Sequence, residues 1–203
     1  MAAVLADRPD LAPFVASCIR GGVDIVQLRD KDLDARPLIE RARLALRVCR
    51  GLGVPFVLND RPDLALEVGA DGVHVGQDDA PPALARRVLG DGAIIGHSTR
   101  GGAQLAAAAH EPVDYVSVGP VHPTATHPTR EAIGLDALRD AAGAATHPWF
   151  VTGNARPDTV GPMIDAGARR FVVVRWLTQS DDPQRDARAL RDAIDRQVEA
   201  TDA

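Results

Sequence analysis

The strongest constraint on the fold is a regular alternation of short apolar runs with longer helical segments along the 203 residues. Short runs rich in Val, Ile and Leu predict β-strands, and the Ala-, Leu- and Arg-rich segments between them have the apolar spacing of helices. The predicted strands are residues 3–6, 23–28, 55–58, 72–75, 93–96, 114–118, 148–152 and 170–174. The predicted helices are residues 10–20, 34–50, 61–68, 81–89, 100–109, 134–142, 156–166 and 183–199.

Strands that are apolar throughout favour a parallel sheet covered by helices on both faces. Eight strand–helix units in 203 residues predict an α/β fold, a single compact TIM (β/α)8 barrel. A chain of this length suits one domain, and we expect that domain to cover residues 1–203. An open doubly wound sheet is the structural alternative.

Composition argues against several classes of partner. A net charge of -5 and a pI near 5.6 argue against nucleic acid, and 3% aromatic residues leave little for base stacking. The chain begins without a basic segment followed by a sustained apolar run, and no 18 apolar residues follow one another. We therefore expect a soluble, cytoplasmic protein without a membrane partner. The sequence does not determine the oligomeric state, and a homo-oligomer is one of the states it allows.

Polar clusters follow six of the predicted strands. They are Gln27-Leu28-Arg29-Asp30-Lys31, Asn59-Asp60-Arg61, Gly76-Gln77-Asp78-Asp79, Gly96-His97-Ser98-Thr99, the proline-rich residues 119–134, and Thr152-Gly153-Asn154. Each cluster taken alone is better explained as a turn or a helix cap. In a barrel, however, the loops that follow the strands surround one mouth. Their convergence therefore predicts a binding site on that rim.

Two of these clusters suggest a metal site. Asp60 and Asp79 follow adjacent strands, and two neighbouring carboxylates repel each other unless a cation lies between them. Mg²⁺ accepts one or two carboxylates and takes its other ligands from water and substrate phosphate. Arg29 and Lys31 would face the same phosphate, and Lys31 is the one lysine among 23 basic residues. The sequence thus predicts a magnesium site beside a phosphate site.

Taken together, the motifs QLRDK, LNDR, ADGVHVGQDD, GHST, YVSVGPVHPTAT and AGARRFVVV resemble those of the thiamine phosphate synthase family. The resemblance covers residues 10–185 approximately. It implies a TIM barrel that joins hydroxymethylpyrimidine diphosphate to thiazole phosphate, or to its carboxylated form, and releases diphosphate with the help of Mg²⁺. Small-molecule substrates are the implied partners.

The resemblance also implies roles for individual residues. It assigns Asp60 and Asp79 to the metal, and it makes Arg29, Lys31 and Ser98 the catalytic residues. The implied contacts with the pyrimidine diphosphate are Gln27, Arg29, Asp30, Lys31, Asn59 and Ser98. Thr124 and Thr126 are the implied contacts with the thiazole phosphate, and Gly153 and Asn154 belong to the loop that helps hold that phosphate. His127 takes the place of a lysine that would help neutralise the departing diphosphate. Val174 and Arg175 are further implied substrate contacts.

Two histidines near these motifs have simpler explanations. His74 lies within the strand GVHV, so we predict a hydrogen-bonded histidine of the barrel interior. His97 precedes Ser98, but sequence neighbours on a strand seldom face each other, and substrate hydrogen bonding is the better role for Ser98. Cys18 and Cys49 lack metal-binding spacing, and we predict that both pack in the core.

The sequence departs from the family pattern in four places. His127 stands where most relatives have lysine, and Asn154 stands where they have a second glycine. Val174-Arg175 stands at the end of the last predicted strand, where many relatives have serine. The first strand, AVLA, is shorter than usual, and we expect the start to be either truncated or misassigned.

Three hypotheses about function remain open at this point. The first is an active thiamine phosphate synthase. The second is an isomerase resembling the thiazole tautomerase that shares this barrel. Two features argue against it: Pro120 stands where that relative has its catalytic histidine, and that relative lacks the paired aspartates Asp60 and Asp79. The third is a non-catalytic binder of thiamine precursors.

Overall fold

The structure is a computed structural model that describes residues 1–5, 9–124 and 131–202. Eight strands form one sheet in which every pairing is parallel. The strands are β1 (Ala2–Leu5), β2 (Ile25–Leu28), β3 (Phe56–Asn59), β4 (Gly72–Val75), β5 (Ile94–Thr99), β6 (Tyr115–Val118), β7 (Trp149–Val151) and β8 (Val172–Val173). Each overlaps one of the predicted strands.

Helices connect the strands, as parallel pairing requires. They are α1 (Leu11–Arg20), α2 (Ala35–Gly51), α3 (Pro62–Val68), α4 (Pro82–Leu89), α5 (Gly102–Ala108), α6 (Gly134–Ala144), α7 (Val160–Asp165), α8 (Arg175–Thr178) and α9 (Pro183–Asp202). None of the helices in these described ranges has the length and apolar composition needed to cross a membrane.

The strand order is β7-β6-β5-β4-β3-β2-β1-β8, so neighbours in sequence are neighbours in the sheet except at the last step. A doubly wound sheet reverses its order near the middle, and this order does not. Val151 of β7 also forms an isolated parallel bridge with Phe171, the residue directly before β8. The predicted α/β fold with a parallel sheet is confirmed.

The helices bury one apolar face against the sheet. In α2 the buried residues recur at helical spacing and are Leu38, Ala42, Ala45, Leu46 and Cys49. The predicted core positions of Cys18 and Cys49 are confirmed, since both are fully buried. Burial, the largest effect, raises the pKa of Cys49 to about 12, so this thiol stays protonated and packs as an apolar group.

Two helix predictions need correction. The predicted helix 156–166 is wrong in its first part, because α7 begins only at Val160. The Thr159 hydroxyl accepts the Arg156 N–H at 2.9 Å and donates to the Asn154 carbonyl at 2.7 Å, which holds the preceding residues in a turn. The short helix α8 was not predicted, since four residues directly after a strand carry no helical periodicity.

Candidate active site

Most of the predicted site residues line one pocket at the carboxyl ends of the strands. Those lining it are Gln27, Arg29, Asn59, Ser98, Thr124, Gly153, Asn154, Val174 and Arg175. These residues are far apart in sequence, and they lie in loops and strand ends from β2 to α8. The parallel order of the strands brings these ends to one edge of the sheet.

Asp60, Asp79 and Lys31 lie together at the rim, next to the pocket residue Asn59. The Lys31 Nζ is 2.6 Å from the Asp60 Oδ2, and the Lys31 side chain is 49% exposed against 18% for Asp60. The Asp79 Oδ2 accepts the Gly76 N–H at 2.8 Å. Asp60 has a positive φ of 64° and donates its N–H to the His74 carbonyl at 2.8 Å, which fixes its backbone. We call Asp60 and Asp79 the carboxylate pair.

The carboxyl groups of this pair are close enough to perturb each other. Burial raises the pKa of Asp60, and the neighbouring Asp79 raises it further against the opposing effect of Lys31. Burial, the largest single effect, disfavours ionisation of Asp79, but the hydrogen bonds from Asp60 and the Gly76 N–H, together with the Lys31 charge, lower the pKa of Asp79. Two carboxylates in this arrangement are electrostatically costly, and a cation shared between them would relieve that cost.

The donor set of the pair fits a hard cation. Across residues 1–5, 9–124 and 131–202, no group of three or more His, Cys, Asp or Glu side chains could hold a metal ion. The pair therefore offers two oxygen ligands and no closed cage. Zn²⁺ sites usually use three or four protein ligands, whereas Mg²⁺ accepts one or two carboxylates and keeps positions for water and phosphate. Of these two ions, the pair fits Mg²⁺ better.

A polar network crosses the inner face of the sheet beneath the rim. His74 contacts the Ser98 Oγ through Nε2 at 2.9 Å and the Tyr115 hydroxyl through Nδ1 at 3.0 Å. The Tyr115 hydroxyl also hydrogen-bonds to the Gln27 side chain. The His74 and Tyr115 rings stack with centroids 5.4 Å apart. We call Gln27, His74, Ser98 and Tyr115 the inner polar network. The prediction that His74 is a hydrogen-bonded histidine of the interior is confirmed.

Gly96 makes this network possible. In the register of the sheet it pairs with His74 on β4 and with Tyr115 on β6. A Cβ on Gly96 would lie 2.2 Å from the Tyr115 Cζ and 2.5 Å from the His74 Nδ1. Only glycine therefore lets the two rings meet above this position.

The network does not contain a hydrolase triad. The imidazole in contact with Ser98 belongs to His74, and its other nitrogen meets the Tyr115 hydroxyl instead of a carboxylate. Burial is the largest of the effects that lower the pKa of His74, to about 4. The neutral imidazole can orient the Ser98 hydroxyl, but a tyrosine in the place of the triad carboxylate does not stabilise the imidazolium that nucleophilic attack would form.

The state of His74 leads to a prediction about stability. Its pKa is about 4 in the folded protein against an ordinary 6.5, so the unfolded chain binds more protons between these values. The contribution of His74 is fully present above about pH 6.5 and is lost as the pH falls towards 4. We expect His74→Asn to lose less unfolding free energy than the parent between pH 7 and pH 5 in urea titrations. Equal losses in the two proteins would contradict this.

The loop after β7 forms the opposite wall of the pocket. Asn154 has a positive φ of 63°, a backbone region that asparagine tolerates better than most residues. Gly153 fits closely against the preceding loop, since a Cβ there would lie 2.4 Å from the Val121 backbone nitrogen. Val174 and Arg175 line the same wall at the start of α8.

Other predicted residues do not line the pocket. The Asp30 Oδ2 lies 3.9 Å from the Arg41 Nε of α2, and Asp30 is not among the pocket residues, so its substrate contact stays a prediction. Lys31 and the carboxylate pair stand at the rim instead of in the wall. Thr126 and His127 lie outside the described residues.

Several pocket residues were missed by sequence reasoning. They are Tyr115, Phe150 and Trp176. Tyr115 is the one tyrosine of the chain and lies in a predicted strand, which was an available signal. Trp176 lies in the unpredicted helix α8, and its Nε1 donates to the Asp186 carbonyl of α9 at 3.1 Å. No sequence pattern marks that contact.

Comparisons with known proteins agree on one family. A family model described as thiamine monophosphate synthase matches residues 2–177. A thiamine-phosphate synthase of Mycobacterium sp. (strain KMS) is 46% identical over 198 residues, covering 93% of this chain and 88% of that protein. A thiamine-phosphate synthase of Thermus thermophilus is 47% identical over 177 residues, covering 87% of this chain and 85% of that protein.

A solved structure is similar over the whole fold. It is thiamine phosphate pyrophosphorylase from Pyrococcus furiosus, with a TM-score of 0.88 and 26% sequence identity. The alignment covers 97% of this chain and 96% of that one. The arrangement of strands and helices described above is therefore shared with that protein.

Proposed function

The chain belongs to the thiamine monophosphate synthase family, and on that premise we propose how its pocket and rim make thiamine phosphate. It is an enzyme of thiamine phosphate synthesis. The proposed reaction joins 4-amino-2-methyl-5-hydroxymethylpyrimidine diphosphate to 4-methyl-5-(2-hydroxyethyl)thiazole phosphate, or to its carboxylated form. The thiazole nitrogen forms a bond to the pyrimidine methylene carbon, and the bond from that carbon to the diphosphate oxygen breaks.

The main support for the proposal is the position of one lysine and two carboxylates. They meet at the rim of a pocket whose lining includes aromatic side chains, which suits an aromatic substrate. Lys31 lies 2.6 Å from Asp60, and Asp79 is near enough to share a hydrogen bond with Asp60. Such a cluster suits a diphosphate held by Mg²⁺. When bound between Asp60 and Asp79, Mg²⁺ would neutralise negative charge on the diphosphate.

The residues of the chain have distinct parts in this scheme. Arg29 and Lys31 stabilise the charge that grows on the leaving diphosphate, Arg29 as a planar fork and Lys31 as a compact ammonium group. Gln27 and Asn59 hold the diphosphate substrate from the pocket wall. Ser98, oriented by His74, hydrogen-bonds the pyrimidine. No protein nucleophile takes part, since the thiazole itself attacks.

The wall formed by Thr124, Gly153, Asn154, Val174 and Arg175 would hold the thiazole phosphate. Backbone N–H groups in loops at this end of a barrel commonly bind phosphate, and positive-φ residues let the backbone come close. Thr126 belongs to the same proposed subsite, whereas His127 would help neutralise the departing diphosphate. The aromatic side chains of Tyr115 and Phe150, with centroids 5.2 Å apart, supply an apolar surface for the heterocyclic rings.

A closed barrel would explain why these walls face each other. The strand order puts β7 and β8 at opposite ends of the sheet, yet Val151 of β7 bridges Phe171, and the Val151 N–H donates to the Arg170 carbonyl at 2.8 Å. These contacts support closure of the sheet into a single (β/α)8 barrel domain over residues 1–203. All substrates would then enter one mouth.

The comparisons do not support the two alternative functions. The relatives named above carry the synthase name, and Pro120, the position where the isomerase hypothesis needs a histidine, lines the pocket. A non-catalytic binder would not require a cation-binding carboxylate pair at the rim.

The proposal is tested by incubating the purified protein with both phosphorylated precursors and Mg²⁺. Thiamine phosphate is measured by the fluorescence of its oxidised form, and diphosphate by an enzyme-coupled assay. We expect the two products in equal amounts, with none when either precursor or Mg²⁺ is left out. Product without diphosphate release, or no product at all, would refute the proposed reaction.

Asn154 provides a further prediction about the thiazole subsite. Glycine also adopts the positive φ of 63° and would remove a side chain from the wall that faces the phosphate. We expect Asn154→Gly to bind thiazole phosphate about fivefold more tightly, the equivalent of about 1 kcal/mol. Calorimetry on both proteins checks this, and equal affinities would show that the side chain does not obstruct the ligand.

A further inference from the structure

A second polar cluster lies behind the pocket, on the opposite face of β5. Side chains alternate between the faces of a strand, so Ser98 points to the pocket while its neighbour His97 points outwards. His97 is 6% exposed. It lies between Gln77 of the loop after β4 and Glu111 beyond α5.

The hydrogen bonds of Gln77 determine which nitrogen of His97 carries the proton. The Gln77 Nε2 donates to the Ser98 carbonyl at 2.7 Å and contacts the His97 Nε2 at 2.9 Å. Because the amide nitrogen is a donor, the His97 Nε2 must accept, and the ring proton resides on Nδ1. That nitrogen lies 3.2 Å from the Glu111 Oε2, which is within ion-pair distance although the two atoms form no hydrogen bond. Burial lowers the pKa of His97 although Glu111 opposes it, which is consistent with a neutral ring.

Gln77 connects this cluster to the rim. It lies in the Gly76–Asp79 loop, and its amide ties that loop to the backbone of Ser98 on β5. The same loop is closed at its other end by the hydrogen bond from the Gly76 N–H to the Asp79 carboxylate. A chain of contacts therefore leads from Glu111 through His97 and Gln77 to Asp79.

We propose that Gln77, His97 and Glu111 are positioning residues that hold the Asp79 loop against the end of β5. The Ser98 carbonyl and the His97 Nε2 each accept one hydrogen of the Gln77 amide, and the Glu111 carboxylate near Nδ1 favours the His97 tautomer that carries its proton there. If the acceptor on His97 is lost, the Gln77 amide keeps only one of its two hydrogen bonds, its bond to the Ser98 carbonyl is held less firmly, and the Asp79 loop loosens. The proposal rests on the proposed function only in that Asp79 is a metal ligand.

The main experiment compares His97→Leu with His97→Gln. Leucine fills the apolar space without an acceptor, whereas the glutamine carbonyl oxygen can take the place of the His97 Nε2. We expect His97→Leu to accelerate hydrogen exchange of the Gly76 amide and to weaken Mn²⁺ binding, measured by electron paramagnetic resonance with inorganic diphosphate present, about three- to tenfold. His97→Gln should restore both to near the parental values.

Two further variants keep the proposal testable if His97→Leu does not fold. Gln77→Ala removes the same contacts at an exposed position, and Asp78→Ala, at the exposed neighbour, is its matched control. We expect faster Gly76 exchange in Gln77→Ala and parental exchange in Asp78→Ala. Parental exchange in Gln77→Ala, or equal effects of the two His97 variants, would overturn the proposal. Hydrogen exchange does not depend on turnover, so it separates failure of this inference from failure of the proposed reaction.

Discussion

Asp79→Asn is expected to slow thiamine phosphate formation about 100- to 1,000-fold while the protein stays folded, because it removes one of the two proposed ligands of the cation. Asparagine preserves the shape of the side chain and can still accept the Gly76 N–H. Asp60→Asn should have an effect of the same order. Asparagine tolerates the positive φ of 64° at that position, so the backbone need not change.

Steady-state rates over a range of Mg²⁺ concentrations provide the measurement. High Mg²⁺ should partly restore both variants, since one carboxylate of the pair remains. Asp78→Asn is the matched control, because Asp78 is exposed in the same loop. Its rate should stay within about twofold of the parent, as for most surface substitutions. A parental rate in Asp79→Asn at low Mg²⁺ would remove Asp79 from the metal site.

Lys31→Arg is expected to lower the rate of thiamine phosphate formation about 10- to 100-fold, although arginine is the common cation elsewhere in this chain. The Lys31 Nζ lies 2.6 Å from the Asp60 Oδ2 at the rim. A guanidinium group is wider and planar, so it cannot occupy the place of a compact ammonium beside both a carboxylate and a diphosphate. The charge is kept, and the loss would come from geometry.

The corresponding control exchanges the same two residue types at an unrelated position. Arg36→Lys at exposed Arg36 of α2 should leave the rate unchanged. Lys31→Ala should be at least as slow as Lys31→Arg, since it also removes the charge. A parental rate in Lys31→Arg would reduce the single lysine of the chain to an accident of composition.

The sequence was informative where local chemistry decides the structure. Apolar runs located the eight strands, because strands covered on both faces are apolar over most of their length. Polar residues directly after strands located most of the pocket, because parallel strands bring those ends together. Asp60 and Asp79 could be paired on this ground alone, since β3 and β4 are adjacent.

The remaining features depend on register and on single side-chain contacts, which no local pattern encodes. His74 and Tyr115 meet because Gly96 pairs with both in the sheet, and this requires the register of three strands. The late start of α7 depends on the Thr159 hydroxyl. Asp30 belongs to the QLRDK motif, yet its carboxylate faces Arg41 of α2. A motif identifies a residue and does not determine the direction of its side chain.

The central claim is that Asp60 and Asp79 together bind the cation and that this cation binds the diphosphate. Its most direct test is a crystal structure with Mn²⁺ and diphosphate, in which anomalous scattering locates the metal independently of the refined atoms. We expect one anomalous peak in contact with a carboxylate oxygen of each aspartate and with the diphosphate, and Lys31 on the outer side of that diphosphate. A peak that contacts only one of the two aspartates, or a diphosphate bound away from both, would contradict the claim.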